Sequence, residues 1–274
     1  MTSAPWPAPR AQRPVDAIVP LPGSKSMTNR ALVIAALARG RSVVRRPLRS
    51  RDTELMAAAL RALGVSITEH GETPQSDRGE QSEQWFVSGV GGRPQVHAPS
   101  VDVGLAGTVA RFLPAVAALA DGSVEFDGDA QMRERPMAPL LHALRHLGVR
   151  VDAAAGDRLP WRVHGAGGVE GGGMRGGEVT VDASTSSQLV SGLLLAAPCF
   201  ADGLVARHVG PPMPSRPHVD MTVAMMRSAG GQVEEPDRNT WVVRPGGYRA
   251  CDVEIEPDLS GASAFLAAAV ATGG

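Results

Sequence analysis

Leu60-Arg61-Ala62-Leu63-Gly64-Val65, Leu144-Arg145-His146-Leu147-Gly148-Val149 and Met226-Arg227-Ser228-Ala229-Gly230-Gly231 are three versions of one helix end. Each amphipathic stretch stops at a glycine, which reaches the left-handed conformation of a C-terminal cap without a Cβ clash. The glycines lie 84 and 82 residues apart (148 − 64 and 230 − 148). Each is followed by a strand-like segment and then by a Trp-x-Val strand: Trp85-Phe86-Val87, Trp161-Arg162-Val163 and Trp241-Val242-Val243. A second helix family, rich in Ala and Leu and opened by Ser or Thr, ends at Gly40, Gly122, Gly203 and Gly273. The repeating unit is therefore about 80 residues: a buried helix with a hydroxyl-rich start, a strand, a more polar helix ending in Gly, and two strands. Three complete units are expected. A fourth begins at Glu256-Pro257-Asp258-Leu259-Ser260 and stops at Gly274, so the chain is expected to end in the middle of a repeat.

Composition agrees with an α/β class. With 43% hydrophobic but only 4% aromatic residues, the core must be Ala, Leu and Val, as where helices pack on sheets. A net charge of −1 leaves no electrostatic footprint for nucleic acid or an anionic membrane, so an anionic ligand must be met by local arginines. Residues 1–14 lack an apolar signal region, and no run approaches the roughly 18 apolar residues of a membrane span. Cys199 and Cys251 belong to no motif and suit a reducing compartment, so a cytoplasmic location is expected. The polar run 71–84 and the Gly-rich run 165–177 read as hairpin loops, because neither joins a strand to a helix as a phosphate cradle does.

Lys25 is the sole lysine among 27 basic residues and sits in Pro22-Gly23-Ser24-Lys25-Ser26. A compact ammonium, where arginine is used everywhere else, points to a position that needs a point donor in place of a planar fork. Ser24 and Ser26 can cap a helix whose body is 28–37, bringing hydroxyls, Lys25 and free N–H groups together. The equivalent starts of the other units hold Gly104-Leu105-Ala106-Gly107-Thr108 and Ser184-Thr185-Ser186-Ser187-Gln188, with Arg30 and Arg111 about a turn in from their own helix starts. If the units pack about one axis, these starts meet and make a site for a small polyanion bearing phosphate or carboxylate. Gly23-Ser24-Lys25-Ser26 has the wrong order for a P-loop, and no dinucleotide fingerprint is present. His142 and His146 are the only histidines at ligand spacing, without an adjacent Glu or a third ligand, so neither metal nor cofactor is expected.

The run from Pro22 to Leu32 resembles the signature of the 5-enolpyruvylshikimate-3-phosphate synthase family. Further matches follow in order: 104–111, Arg133-Glu134-Arg135-Pro136, Ser186-Ser187-Gln188, Ser215-Arg216-Pro217-His218 and Glu256-Pro257-Asp258. The resemblance covers the chain from about Pro20 onward and implies an inside-out α/β repeat fold whose two lobes close over the substrates. It implies transfer of the enolpyruvyl group of phosphoenolpyruvate to the 5-hydroxyl of shikimate 3-phosphate, with release of phosphate, on the route to chorismate and aromatic amino acids. By position, Lys25 would contact both substrates and act in catalysis. Ser26, Arg30, Ser186, Ser187 and Ser215 would hold shikimate 3-phosphate, Gly107 and Arg135 phosphoenolpyruvate, and Gln188 both. Addition of the hydroxyl to the enol carbon passes through a cationic centre flanked by carboxylate and phosphate, which calls for fixed cations, donors and a proton shuttle. Leu105, Phe112 and His218 depart from the residues many members carry (Asn, Pro and Tyr). The first two border the phosphoenolpyruvate pocket and bear on its response to glyphosate.

The resemblance also divides the chain: 1–20 as a tail and strand of the other lobe, 21–245 as a complete three-repeat lobe, and 246–274 as the start of a second, truncated lobe that would supply the acid–base residues. The full-length protein would be a monomer, with no nucleic acid or membrane partner. Two related folds are alternatives. UDP-N-acetylglucosamine enolpyruvyl transferase usually has a reactive Cys in the segment corresponding to 127–135, which holds none here. RNA 3'-phosphate cyclase fits neither the neutral charge nor the missing nucleotide motif. A non-catalytic lobe that binds shikimate 3-phosphate is the alternative of another class.

Overall fold

The computed structural model describes residues 11–70, 83–167 and 173–274. Helix α1 (Lys25–Leu37) runs directly into β1 (Ala38–Arg45), followed by α2 (Arg51–Ala62), β2 (Ser66–His70) and β3 (Gln84–Val90). The next stretch repeats this order behind a short strand: β4 (Ser100–Asp102), α3 (Gly107–Ala117), β5 (Ser123–Asp127), the one-turn α4 (Ala130–Arg133), α5 (Ala138–His146), β6 (Arg150–Ala154) and β7 (Arg158–His164). Then come β8 (Gly177–Val181), α6 (Gln188–Ala196), β9 (Leu204–His208), α7 (Pro217–Ser228), β10 (Val233–Asp237) and β11 (Thr240–Val243). Two short strands, β12 (Tyr248–Arg249) and β13 (Val253–Glu254), precede α8 (Leu259–Thr272).

Two sheets share one order, β4-β5-β7-β6 and β8-β9-β11-β10, each with its first pair parallel and the others antiparallel. The remaining sheet, β1-β3-β2, takes its parallel neighbour from much later in the chain. Ala38 pairs with Tyr248 on β12, and Val44 with Val253 on β13. The sequence reading assigned everything from residue 246 onward to a second lobe; the pairing places 248–254 in the first sheet. The physical reason is edge satisfaction, since among the described residues no preceding strand gives β1 what β4 and β8 give β5 and β9.

Helices α1, α3 and α6 pack on one another and are buried almost all round. Only helices hydrophobic on every side can occupy that place, and their Ala-rich bodies allow close approach. The sheets lie outside, with alternating strands: on β7, Leu159, Trp161 and Val163 point inward between exposed neighbours. Trp85, Trp161 and Trp241 fill equivalent buried positions on β3, β7 and β11.

The helix-ending glycines divide into two kinds. Gly64, Gly148 and Gly230 cap α2, α5 and α7 with φ of +85°, +86° and +91°. Gly40, Gly122 and Gly203 do not end helices as expected. Helices α1, α3 and α6 stop at Leu37, Ala117 and Ala196, and these glycines lie within or just before β1, β5 and β9, with φ of +102°, +113° and +70°. They turn the chain into its strand, a left-handed step that disfavours a side chain. Gly273 does cap α8, at φ +75°. Strands β2 and β3, flanking 71–84, pair antiparallel as a hairpin whose loop lies largely outside the described residues. The run 165–177 is not a hairpin loop, because it joins β7 to β8, which belong to different sheets; the hairpin there is β6–β7. Helix α8 exposes Leu259, Phe265, Leu266 and Val270 and buries only Ala262. No helix of the described residues is long and apolar enough to cross a membrane.

Candidate functional site

Ser24 is the N-cap of α1: its Oγ accepts from the Met27 N–H at 3.5 Å, and its carbonyl accepts from the Thr28 hydroxyl at 2.9 Å. Ser26 is no second cap, as the sequence reading allowed, but sits inside the first turn. Lys25 is the first helical residue and is half-exposed, with Nζ donating to Asp52 Oδ2 at 2.9 Å. One turn further, Asn29 Nδ2 donates to Thr108 Oγ1 at 2.6 Å. Residues i and i+4 share a helix face, so this bond sets Lys25 beside the start of α3.

The start of α3 has no side-chain cap and neither does that of α6, which leaves N–H groups of both helices without an intrahelical partner. Between them Arg111 Nη1 donates to Gln188 Oε1 at 3.1 Å. A Cβ built on Gly107 would stand 2.6 Å from Arg111 Nη1, 3.3 Å from Arg135 Nη1 and 3.4 Å from Gln188 Oε1. Residues from three separate segments, Gly107 with Arg111 on α3, Arg135 and Gln188, thus share one small space, and a side chain at 107 would intrude on it. Burial, and then the charge of Arg135, lowers the Arg111 pKa.

Arg30 faces α7 from the adjoining side of α1 and is fully buried. It donates from Nε to Thr222 Oγ1 at 2.7 Å, from Nη1 to the Ser26 carbonyl at 2.9 Å and from Nη2 to the His218 carbonyl at 3.1 Å, and it lies over the Phe112 ring at 5.2 Å. Burial pulls its pKa down to about 10. Burial and then the Arg30 charge lower that of His218. Ser215, exposed at φ +52°, lies just ahead of α7, its carbonyl accepting from the His218 N–H at 2.9 Å. Ser186 Oγ accepts from the Gln188 N–H at 3.3 Å, and Ser187 is buried at the N-cap.

Most of the surface arginines are paired with carboxylates. Arg45, Arg49, Arg61, Arg133, Arg145 and Arg207 each meet a carboxylate within 4.0 Å. Among the described residues Arg30, Arg111 and Arg135 meet none, as do the exposed Arg39, Arg41, Arg93, Arg238 and Arg249; Arg30 and Arg111 differ from those in being withdrawn from solvent. Arg111 and Arg135, held beside the uncapped starts of α3 and α6 without a carboxylate partner, suit an incoming anion. The sequence reading missed Asp52, which comes from α2 and not from the first-helix starts that were compared. It also missed Thr222, a mid-helix hydroxyl with no motif around it. His142, half of the expected non-site, pairs through Nε2 with Asp157 Oδ2 at 2.6 Å.

A family model described as EPSP synthase (3-phosphoshikimate 1-carboxyvinyltransferase) matches residues 9–274. This chain belongs to the EPSP synthase family. It is similar to the solved structure of an EPSP synthase from Acinetobacter baumannii, with 25% identity and a TM-score of 0.75 over 93% of this chain and 53% of that one. A second EPSP synthase structure from that organism gives 25% identity and a TM-score of 0.73, covering 92% and 54%. The enolpyruvyl transferase NikO from Streptomyces tendae shares the fold at 16% identity, with a TM-score of 0.64 over 93% of this chain and 55% of that one. The chain therefore spans about half the length of the EPSP synthase structures it matches. Its mixed α/β architecture is that of the EPSP synthase family.

Proposed function

We propose that the helix-start cluster binds shikimate 3-phosphate and phosphoenolpyruvate, and that the chain takes part in enolpyruvyl transfer to the 5-hydroxyl with loss of phosphate. The observation that carries this reading is the convergence of Gly107, Arg111, Arg135 and Gln188 at one point, with Lys25 one helix away. In this reading Arg135, the α3 amides at Gly107 and the Gln188 amide receive phosphoenolpyruvate. Arg30, Ser26, Ser186, Ser187 and Ser215 receive shikimate 3-phosphate, and Lys25 stands between the two. The reaction adds the hydroxyl oxygen to C2 of phosphoenolpyruvate, with loss of the hydroxyl proton, and a proton to C3, then expels phosphate from C2 and takes a proton from the C3 methyl group to restore the double bond. Fixed positive charge holds the phosphate and carboxylate on either side of the developing cationic carbon.

Titration calorimetry with each substrate, beside a phosphate-release assay, tests the proposal. Heat with shikimate 3-phosphate is expected; heat without phosphate release supports the reading of this chain as a binding lobe, and no heat refutes the site. Ser187→Ala is expected to weaken shikimate 3-phosphate by on the order of 1.5 to 3 kcal/mol, the range for a hydrogen bond to a charged group. Parent-like affinity would remove Ser187 from the site. Gly107→Ala acts on the other ligand: the methyl group displaces the Arg111, Arg135 and Gln188 heads, while Ala is the better helix former by about 1 kcal/mol. A weaker phosphoenolpyruvate affinity with unchanged or raised thermal stability is the expected pair of results.

A further inference from the structure

Lys25 and Arg135 lie on segments far apart in sequence, yet both are tied to the first turn of α2. Ser50 and Thr53 form a reciprocal capping box there, which fixes the two residues between them. Asp52 takes Lys25 Nζ at 2.9 Å. Its neighbour Arg51 forks onto Asp129, Nη1 to Oδ2 at 2.7 Å and Nη2 to Oδ1 at 2.9 Å. Asp129 heads the short arm that ends in Arg135. Its carbonyl accepts from the Met132 N–H at 2.8 Å, and the Met132 carbonyl accepts from the Arg135 N–H at 3.0 Å. The arm lies flush on the loop leading to Gly107, with the Asp129 N–H on the Gly104 carbonyl at 3.1 Å. A Cβ at Gly128 would stand 2.7 Å from that carbonyl oxygen, so only glycine permits the approach. Arg133 braces the root of the arm on Asp127 at 2.9 and 2.5 Å, and buried Met132 anchors its middle.

We infer that the adjacent residues Arg51 and Asp52 form a yoke that sets the spacing between Lys25 and the Arg135 arm, making Arg51 and Asp129 positioning residues for phosphoenolpyruvate. A planar fork on a carboxylate fixes orientation as well as distance, which a single contact cannot do. Arg51 is 58% exposed and Asp129 31%, so the pair contributes little to folding; its effect is on where the arm sits. The same contact holds the Asp129 carboxyl below the usual carboxylate range and raises Arg51. The identity of the ligand rests on the function proposed above; the mechanical link does not.

The test uses the whole chain with Arg51→Gln, Asp129→Asn and the swap Arg51→Asp with Asp129→Arg. Hydrogen–deuterium exchange across 128–135 reads the arm directly, and calorimetry reads both substrates. Each single variant is expected to speed exchange in 128–135 and leave α5 unchanged. Each should also weaken phosphoenolpyruvate about tenfold, a modest cost for a group displaced by a fraction of an ångström. Shikimate 3-phosphate affinity should stay within about twofold, since its residues lie on α1 and just ahead of α6 and α7. The swap is expected to restore slow exchange. Unchanged exchange in the single variants overturns the yoke, as does faster exchange with parent-like phosphoenolpyruvate affinity. If the parent binds neither substrate, the proposed function falls, and exchange alone still decides the yoke.

Discussion

Lys25→Arg lowers phosphoenolpyruvate binding in the presence of shikimate 3-phosphate by about tenfold or more, with a thermal midpoint close to that of the parent. The two halves of this result have separate causes. Lys25 is 48% exposed and its partner Asp52 24% exposed, so the ion pair contributes no more than about 1 kcal/mol to folding. The ammonium, in contrast, is a compact donor at the first position of α1, beside the start of α3. An arginine there would extend past that position and fork onto the Asp52 carboxylate, turning its charge away from the ligand. Calorimetry and a thermal scan on the same preparation check both halves. Parent-like affinity would reduce Lys25 to a surface cation that happens to be the one lysine.

What could be read in the sequence follows from which interactions are local. The buried helices α1, α3 and α6 and the capping glycines Gly64, Gly148 and Gly230 are set by periodicity and left-handed φ, which neighbouring residues determine. The inward tryptophans on β3, β7 and β11 are legible for the same reason. The partner of a strand is not local. The alternation in β7 and β8 is the same whether they pair with each other or lie in separate sheets, so the run 165–177 read as a hairpin. β12 and β13 are two residues each and carry no pattern, yet they complete the edge of β1. The site divides in the same way. Lys25, Gly107, Arg135 and Gln188 stand out by composition and motif, whereas Asp52 and Arg51 acquire a role only when the first turn of α2 is set beside α1 and the arm at 129.

Arg30→Met leaves the chain at least as stable as the parent and abolishes shikimate 3-phosphate binding. Arg30 is a fully buried cation whose acceptors are all neutral: the Thr222 hydroxyl and two carbonyls. Those carbonyls, of Ser26 in α1 and His218 in α7, already belong to helix ladders, and Thr222 Oγ1 keeps its bond to the His218 carbonyl at 2.8 Å. Removing the guanidinium therefore orphans no buried acceptor. Its desolvation costs several kcal/mol with no carboxylate to offset it, against three hydrogen bonds and a cation–π contact to Phe112. The folded-state pKa of about 10 lies below the ordinary arginine value, so the fold disfavours the charged form. That cost is present at neutral pH and is relieved only as the pH rises past about 10. Methionine fills similar length, packs well on an aromatic ring and carries no charge into the core. A buried cation that weakens the empty fold and is balanced by an arriving dianion belongs to a binding site. A denaturant titration and calorimetry with shikimate 3-phosphate read the two effects together. Retained binding would remove Arg30 from the site, and a loss beyond about 3 kcal/mol of stability would make it a structural tie between α1 and α7.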